Sequence, residues 1–117
     1  PVSYTTGVFW TGKMMPVQVI GFGMPTGWAV FKGMEYAYWK GARIMNMSFQ
    51  MTTAAQPIWM ELFMLVTPDV LYVSAAGNED VDIDDPNEIP RFPQTYTVDN
   101  MLITEACPTA HGLGVCD

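Results

Sequence analysis

Val70-Leu-Tyr-Val-Ser-Ala-Ala76, running straight into Gly77-Asn78, is the stretch on which the fold turns. Seven apolar or small residues, rich in Val and Tyr and closed by a Gly-Asn bend, predict a strand. Moving toward the N-terminus, residues Ala54 to Val66 carry a helical pattern, with Pro57 placed near the first turn where proline is tolerated. Before it, Arg43-Ile-Met-Asn-Met-Ser48 shows little surface pattern, as expected of a strand buried on both faces. Earlier still, Trp28, Phe31, Met34 and Tyr38 recur at helical spacing from Gly27 to Lys40, flanked by Val30 and Ala37, and Gly41 supplies the stop. Gly33 falls in mid-helix at a cost of about 1 kcal/mol relative to Ala, which implies a close neighbour on that face. Pro16-Val-Gln-Val-Ile20 reads as a strand handing over to the Gly-rich turn Gly21-Phe-Gly-Met-Pro-Thr-Gly27. Downstream, Asn100-Met-Leu-Ile-Thr104 predicts one more strand. Alternating strands and helices imply right-handed crossovers and an α/β fold, a doubly wound parallel sheet.

The chain has 117 residues, half of them hydrophobic and 15% charged, which excludes a long disordered tail. Its net charge of −7 is uneven. Residues 1–78 hold four basic and three acidic side chains, whereas residues 79–117 hold one basic and nine acidic. That balance lacks the basic footprint of a nucleic-acid binder. The longest uncharged window, Met14 to Phe31, is broken by Pro16, Gly21, Gly23, Pro25 and Gly27, so it does not read as a membrane span. Glu79 to Glu88 holds six acidic residues in ten and reads as a polar loop inserted within one sheet. Cys107 and Cys116 are near enough to pair or to remain thiols, and their number decides neither. Beginning at Pro1 without Met and ending at Asp117, residues 1–117 read as an internal fragment of a single domain, a doubly wound three-layer sandwich left incomplete. Expressed alone, such a fragment is expected to leave sheet edges and apolar faces uncovered.

In an open α/β sheet, ligands bind beyond the carboxyl ends of the strands. That rule singles out Gly21 to Gly27, Ser48 to Met51 and Ala76 to Asp80. In Ala75-Ala-Gly-Asn78 a small-residue bend is followed by a side-chain amide, which can donate to a developing oxyanion where Asp would repel it. Taken locally, Gly77-Asn78 reads more simply as a plain turn, with Asn chosen for its tolerance of left-handed backbone.

The combination carries more than any single motif. Gly33-Met-Glu-Tyr-Ala37, Gly41-Ala-Arg-Ile-Met-Asn-Met-Ser48, Val73-Ser-Ala-Ala-Gly-Asn-Glu79 and Arg91-Phe-Pro-Gln-Thr-Tyr96 occur in order, followed by Asp99-Asn-Met-Leu-Ile-Thr104. Over residues 17–106 this resembles the central part of the subtilisin-like serine protease family, whose versions read Gly-Ile-Glu-Trp-Ala, Gly-Ala-Asp-Val-Ile-Asn-Met-Ser, Ala-Ala-Gly-Asn and Tyr-Pro-Ala-Ser-Tyr, then Asp-Asn-Val-Ile. The resemblance implies a Ser-His-Asp endopeptidase acting on peptide or protein substrates, secreted or at the cell surface. It makes Asn78 the oxyanion-hole asparagine. Ser48, Phe49 and Gln50 match the strand bordering the substrate and its first specificity pocket, Ala75, Ala76 and Gly77 another wall, and Gly23 and Met24, with Pro25, the facing edge.

The triad is expected outside this stretch, with the Asp and His motifs upstream of Pro1 and the Gly-Thr-Ser motif downstream of Asp117. The segment by itself is therefore expected to be inactive. The family usually has Gly-Gly where Gln50-Met51 stand, letting the substrate backbone come close, whereas here both residues are expected to bring side chains to that edge, and Pro25 removes a donor from the opposing one. These departures motivate the alternative of a non-catalytic, protease-like domain that binds peptides or only packs against partners. His111-Gly112 comes after the oxyanion Asn and reads as a loop histidine, while Ser48 and Ser74 lack a nucleophile elbow and Ser3 stands in an unpatterned terminus. Asp80, Asp82 and Asp84 have calcium-loop spacing but fail as an EF-hand at Asp85 and Arg91. Catalysis requires no cofactor, and calcium enters only as a structural candidate. The Gly21-x-Gly-x-x-x-Gly27 spacing is one residue too long for a dinucleotide fingerprint, which makes a nucleotide-binding domain the weakest reading. Trp28, Tyr36, Trp39 and Met45 are expected in the core.

Overall fold

The computed structural model describes residues 11–21, 26–52, 56–78, 83, 85 and 87–104. Helix α1 spans Gly27–Trp39; the Thr26 hydroxyl accepts from Ala29 N at its start, and Gly41 at φ +91° follows the Lys40 cap. Strand β1 is Ile44–Met47 and β2 the short Met51–Thr52. Helix α2 spans Ile58–Val66 with Pro57 as its N-cap, so it starts later than the pattern predicts. Proline suits that end because a first-turn N–H would have no helical partner. Strands β3 (Leu71–Ala75), β4 (Arg91–Phe92) and β5 (Met101–Thr104) complete the chain of elements.

β1, β3 and β5 form one parallel sheet in the order β1-β3-β5, with Met47 opposite Ser74 and Ala75 opposite Thr104. A second, antiparallel pair joins β2 to β4, with Met51 opposite Phe92. The α/β parallel architecture is thus the one expected. Residues 16–20 differ, since they belong to neither sheet. They instead run along α1, where a Cβ on Gly33 would come within 2.3 Å of Val19 Cγ1 and 3.3 Å of Val17 Cγ1. The mid-helix glycine is explained by that close approach.

Period two places Met45, Met47, Tyr72 and Ser74 on one face of the sheet. These residues are buried in a core with Val30, Met34 and Ala37 of α1 and Met60 and Met64 of α2. Each fully buried Met contributes roughly 1.5–3 kcal/mol, and its flexible thioether fills gaps between helix and strand. The two helices touch through Phe63, whose ring meets Phe31 and Tyr38 edge-on at 5.8 Å. On the other face Ile44 is 67% exposed and Leu102 51%. The expectation that β1 is buried on both faces is therefore corrected, because among the described residues helices cover only one side. Of the four residues expected in the core, Met45 is buried, while Trp28, Tyr36 and Trp39 lie on the outer arc of α1.

Asn100 secures the α2–β3 corner. Its Nδ2 lies 3.0–3.1 Å from the carbonyl oxygens of Met64, Thr67 and Val70 and donates to them. Met64 O lies in the last turn of α2, where i+4 donors run out, and it also accepts from Thr67 N at 3.3 Å. Thr67 donates to Phe63 O at 2.6 Å, which leaves its oxygen to accept from the buried Tyr72 hydroxyl at 2.7 Å.

Candidate active-site cleft

The parallel register brings the carboxyl ends of β1 and β3 side by side, with Ser74 Oγ donating to Met47 O at 3.3 Å. Beyond β1 the chain tightens, as Phe49 N donates to Met47 O at 2.8 Å. Ser48 is exposed, and its hydroxyl exchanges hydrogen bonds with the Asn46 amide at 3.0 and 3.3 Å. Gln50 is half-buried and accepts from Arg91 Nη1 at 3.5 Å.

Met51 is only 5% exposed and pairs with Phe92 in the β2–β4 ladder. The expectation that its side chain crowds the substrate edge is corrected, since the ladder turns it into the core.

Beyond β3, Ala75 and Ala76 are half-buried and Ala76 N donates to Thr104 O at 2.9 Å. Gly77 adopts φ +124°, a region that side chains disfavour, so the bend depends on glycine there. Asn78 follows it, exposed just past the strand end. Gly23, Met24 and Pro25, the expected facing edge, lie outside the described residues, as do Asp80, Asp82, Asp84, Cys107, His111 and Cys116.

Two features of this sheet end carry no signal in the sequence. The first is the β2–β4 ladder, which ties the chain after Ser48 to the Arg91–Tyr96 loop. The second is Gln94, buried between the two walls, whose Nε2 donates to Phe49 O at 3.1 Å and Ala75 O at 2.8 Å. A two-residue ladder has no periodicity to detect, and a glutamine signals nothing until its acceptors are located. Next to it, Phe92 and Tyr96 stack at 5.0 Å, and the Tyr96 hydroxyl donates to Pro57 O at 2.7 Å. Burial raises the Tyr96 phenol pKa, so this hydroxyl stays protonated and can donate.

The described residues hold no group of three His, Cys, Asp or Glu able to bind a metal, and no helix long and apolar enough to cross a membrane. Neither Ser48 nor Ser74 is paired with a base: the first bonds Asn46 and the second bonds main-chain carbonyls. What the arrangement supplies is a sheet end with two main-chain walls, a glycine bend and a side-chain amide. A family model described as "Subtilase family" matches residues 2–110. No curated protein and no solved structure matches the chain.

Proposed function

This chain belongs to the subtilase family, a family of serine proteases, and on that premise we propose that it forms part of the substrate cleft of a serine endopeptidase. The carrying observation is the convergence of the two motif-bearing segments, Ser48–Gln50 and Ala75–Asn78, at the carboxyl end of one parallel sheet. In this reading a peptide lies extended beside Ser48–Gln50, held by main-chain hydrogen bonds, and the side chain preceding the scissile bond enters between that wall and Ala75–Gly77. Gly23 and Met24 would form the facing edge.

Asn78 is the oxyanion donor. As a serine oxygen bonds to the scissile carbonyl carbon, negative charge gathers on the carbonyl oxygen, and a preorganised amide N–H stabilises it more than it stabilises the ground state. The exposure of Asn78 after the Gly77 bend supports that role. The serine proton passes to a histidine and then to the departing amine as the C–N bond breaks; water then releases the acyl group by the reverse sequence. The Ser, His and Asp of this mechanism come from elsewhere in the protein. No cofactor takes part, and a calcium ion near Asp80–Asp84 would be structural. Secretion or display at the cell surface is proposed from the family.

The buried position of Met51 favours this reading over a non-catalytic domain, because it removes one of the two side chains that departed from the Gly-Gly pattern. A fluorophosphonate probe on the full-length protein decides between them: labelling at a serine is expected, and absence of labelling on folded protein establishes the non-catalytic alternative. Asn78→Ala should then lower kcat by about 10²–10³-fold with little change in KM, the loss known for this donor in subtilisin itself, a family member. An unchanged kcat would remove Asn78 from the mechanism.

A further inference from the structure

Gln94 is 2% exposed, and both of its donor contacts reach across chain segments distant in sequence. Its Nε2 has two protons, one for Phe49 O and one for Ala75 O. Those carbonyls belong to the two walls of the proposed cleft. Its Oε1 is buried and has no partner. Rotating the amide would turn that oxygen toward two carbonyl oxygens, so the orientation with Nε2 between the walls is the one that electrostatics permits.

The backbone carrying Gln94 is itself anchored. Arg91 and Phe92 pair with Thr52 and Met51, Thr95 donates to Arg91 O through both its N–H and its hydroxyl at 3.0 Å, and Tyr96 N donates to Pro93 O at 3.0 Å. A side chain with a fixed base and two fixed acceptors acts as a staple.

We propose that Gln94 is a positioning residue that holds the Ser48–Gln50 and Ala75–Gly77 walls at a set separation and thereby determines which side-chain sizes fit between them. The part about substrate size rests on the protease reading above; the staple itself rests only on the hydrogen bonds. Asn100 provides the contrast, as a second bridging amide that ties the α2–β3 corner rather than the walls.

The test uses the full-length protein and three variants: Gln94→Met, which keeps length and loses both donors; Gln94→Glu, which can donate only when protonated; and Asn100→Ala. The first readout is the ratio of kcat/KM for two peptides that differ only in having Ala or Phe before the scissile bond. Gln94→Met should shift this ratio at least about fivefold, as loss of two hydrogen bonds allows. Gln94→Glu should hold the ratio nearer its original value at acidic pH and lose it as the carboxyl ionises. Asn100→Ala should lower the thermal midpoint and leave the ratio within about twofold. A ratio within about twofold of the original in Gln94→Met overturns the proposal, as does a pH-independent ratio in Gln94→Glu should Gln94→Met fail to fold.

The second readout is hydrogen exchange at the Phe49 and Ala76 amides, which are bonded to Met47 O and Thr104 O. Under conditions where these amides exchange by local opening, exchange on both walls should quicken about tenfold or more in Gln94→Met and stay unchanged in Asn100→Ala. If the unsubstituted protein cleaves no peptide, the protease reading falls and exchange alone decides the staple: unchanged exchange at both amides refutes it.

Discussion

Replacing Gly33 with Ala should reverse its effect on stability according to what stands at residue 19. In an open helix position the change stabilises by about 0.8–1.0 kcal/mol. Here the new Cβ would sit 2.3 Å from Val19 Cγ1, far inside contact distance, and 3.3 Å from Val17 Cγ1. Overpacking of that kind costs typically 1–3 kcal/mol, so the net result with Val19 present is a loss of up to about 2 kcal/mol. Val19→Ala removes the offending methyl and leaves Cβ of residue 19 at 3.7 Å, an ordinary contact. With that overpacking relieved, Gly33→Ala should stabilise by up to about 1 kcal/mol, and the coupling energy equals the relieved cost, roughly 1–3 kcal/mol. Urea unfolding of the four proteins of this cycle, as full-length chains at equal concentration, gives the four free energies. A Gly33→Ala effect that is the same in both backgrounds within about 0.5 kcal/mol would refute the packing of residues 17–19 on α1.

Two further outcomes follow from buried polar groups. Asn100→Ala removes two amide protons shared among three carbonyls, and at a net 0.5–1.5 kcal/mol per bond it should cost about 1–3 kcal/mol in urea unfolding; a loss below about 0.5 kcal/mol would show that Asn100 does not secure the α2–β3 corner. Tyr72 and Tyr96 have phenol pKa values raised chiefly by burial. Above about pH 10 the unfolded chain releases phenolic protons that the folded chain keeps, so the stability they provide is complete below that pH and is lost as pH rises further. The urea midpoint should fall less steeply between about pH 9 and 11 in Tyr96→Phe than in the unsubstituted protein, and parallel slopes would show that Tyr96 is not the linked group.

Much of this protein was legible because its elements obey local rules. The stop signal at Gly41 works over one turn, and the observed span of α1, Gly27–Trp39, stops one residue before the Lys40 expected from the pattern. The strands β3 and β5 lie within their apolar runs, since a run of Val, Leu, Ile and Tyr has few other uses at that length. The family was legible too, because several motifs recurring in order are far more specific than any one of them. Legibility failed where the information is a distance between segments. Residues 16–20 have a strand-like pattern but no ladder partner among the described residues, and a strand requires one.

Composition, periodicity and caps are properties of neighbouring residues, and they alone specify the α/β order of elements, the parallel sheet and the placing of Asn78 just past a strand end. Which arc of α1 turns inward, Val30, Met34 and Ala37 rather than Trp28, was decided by tertiary packing against the methionines of the sheet and of α2. So were the burial of Met51 and the bridging of the Phe49 and Ala75 carbonyls by Gln94. A side chain's hydrogen-bond partner 45 residues away is set by where the folded backbone brings the carbonyl, and no local pattern encodes that position.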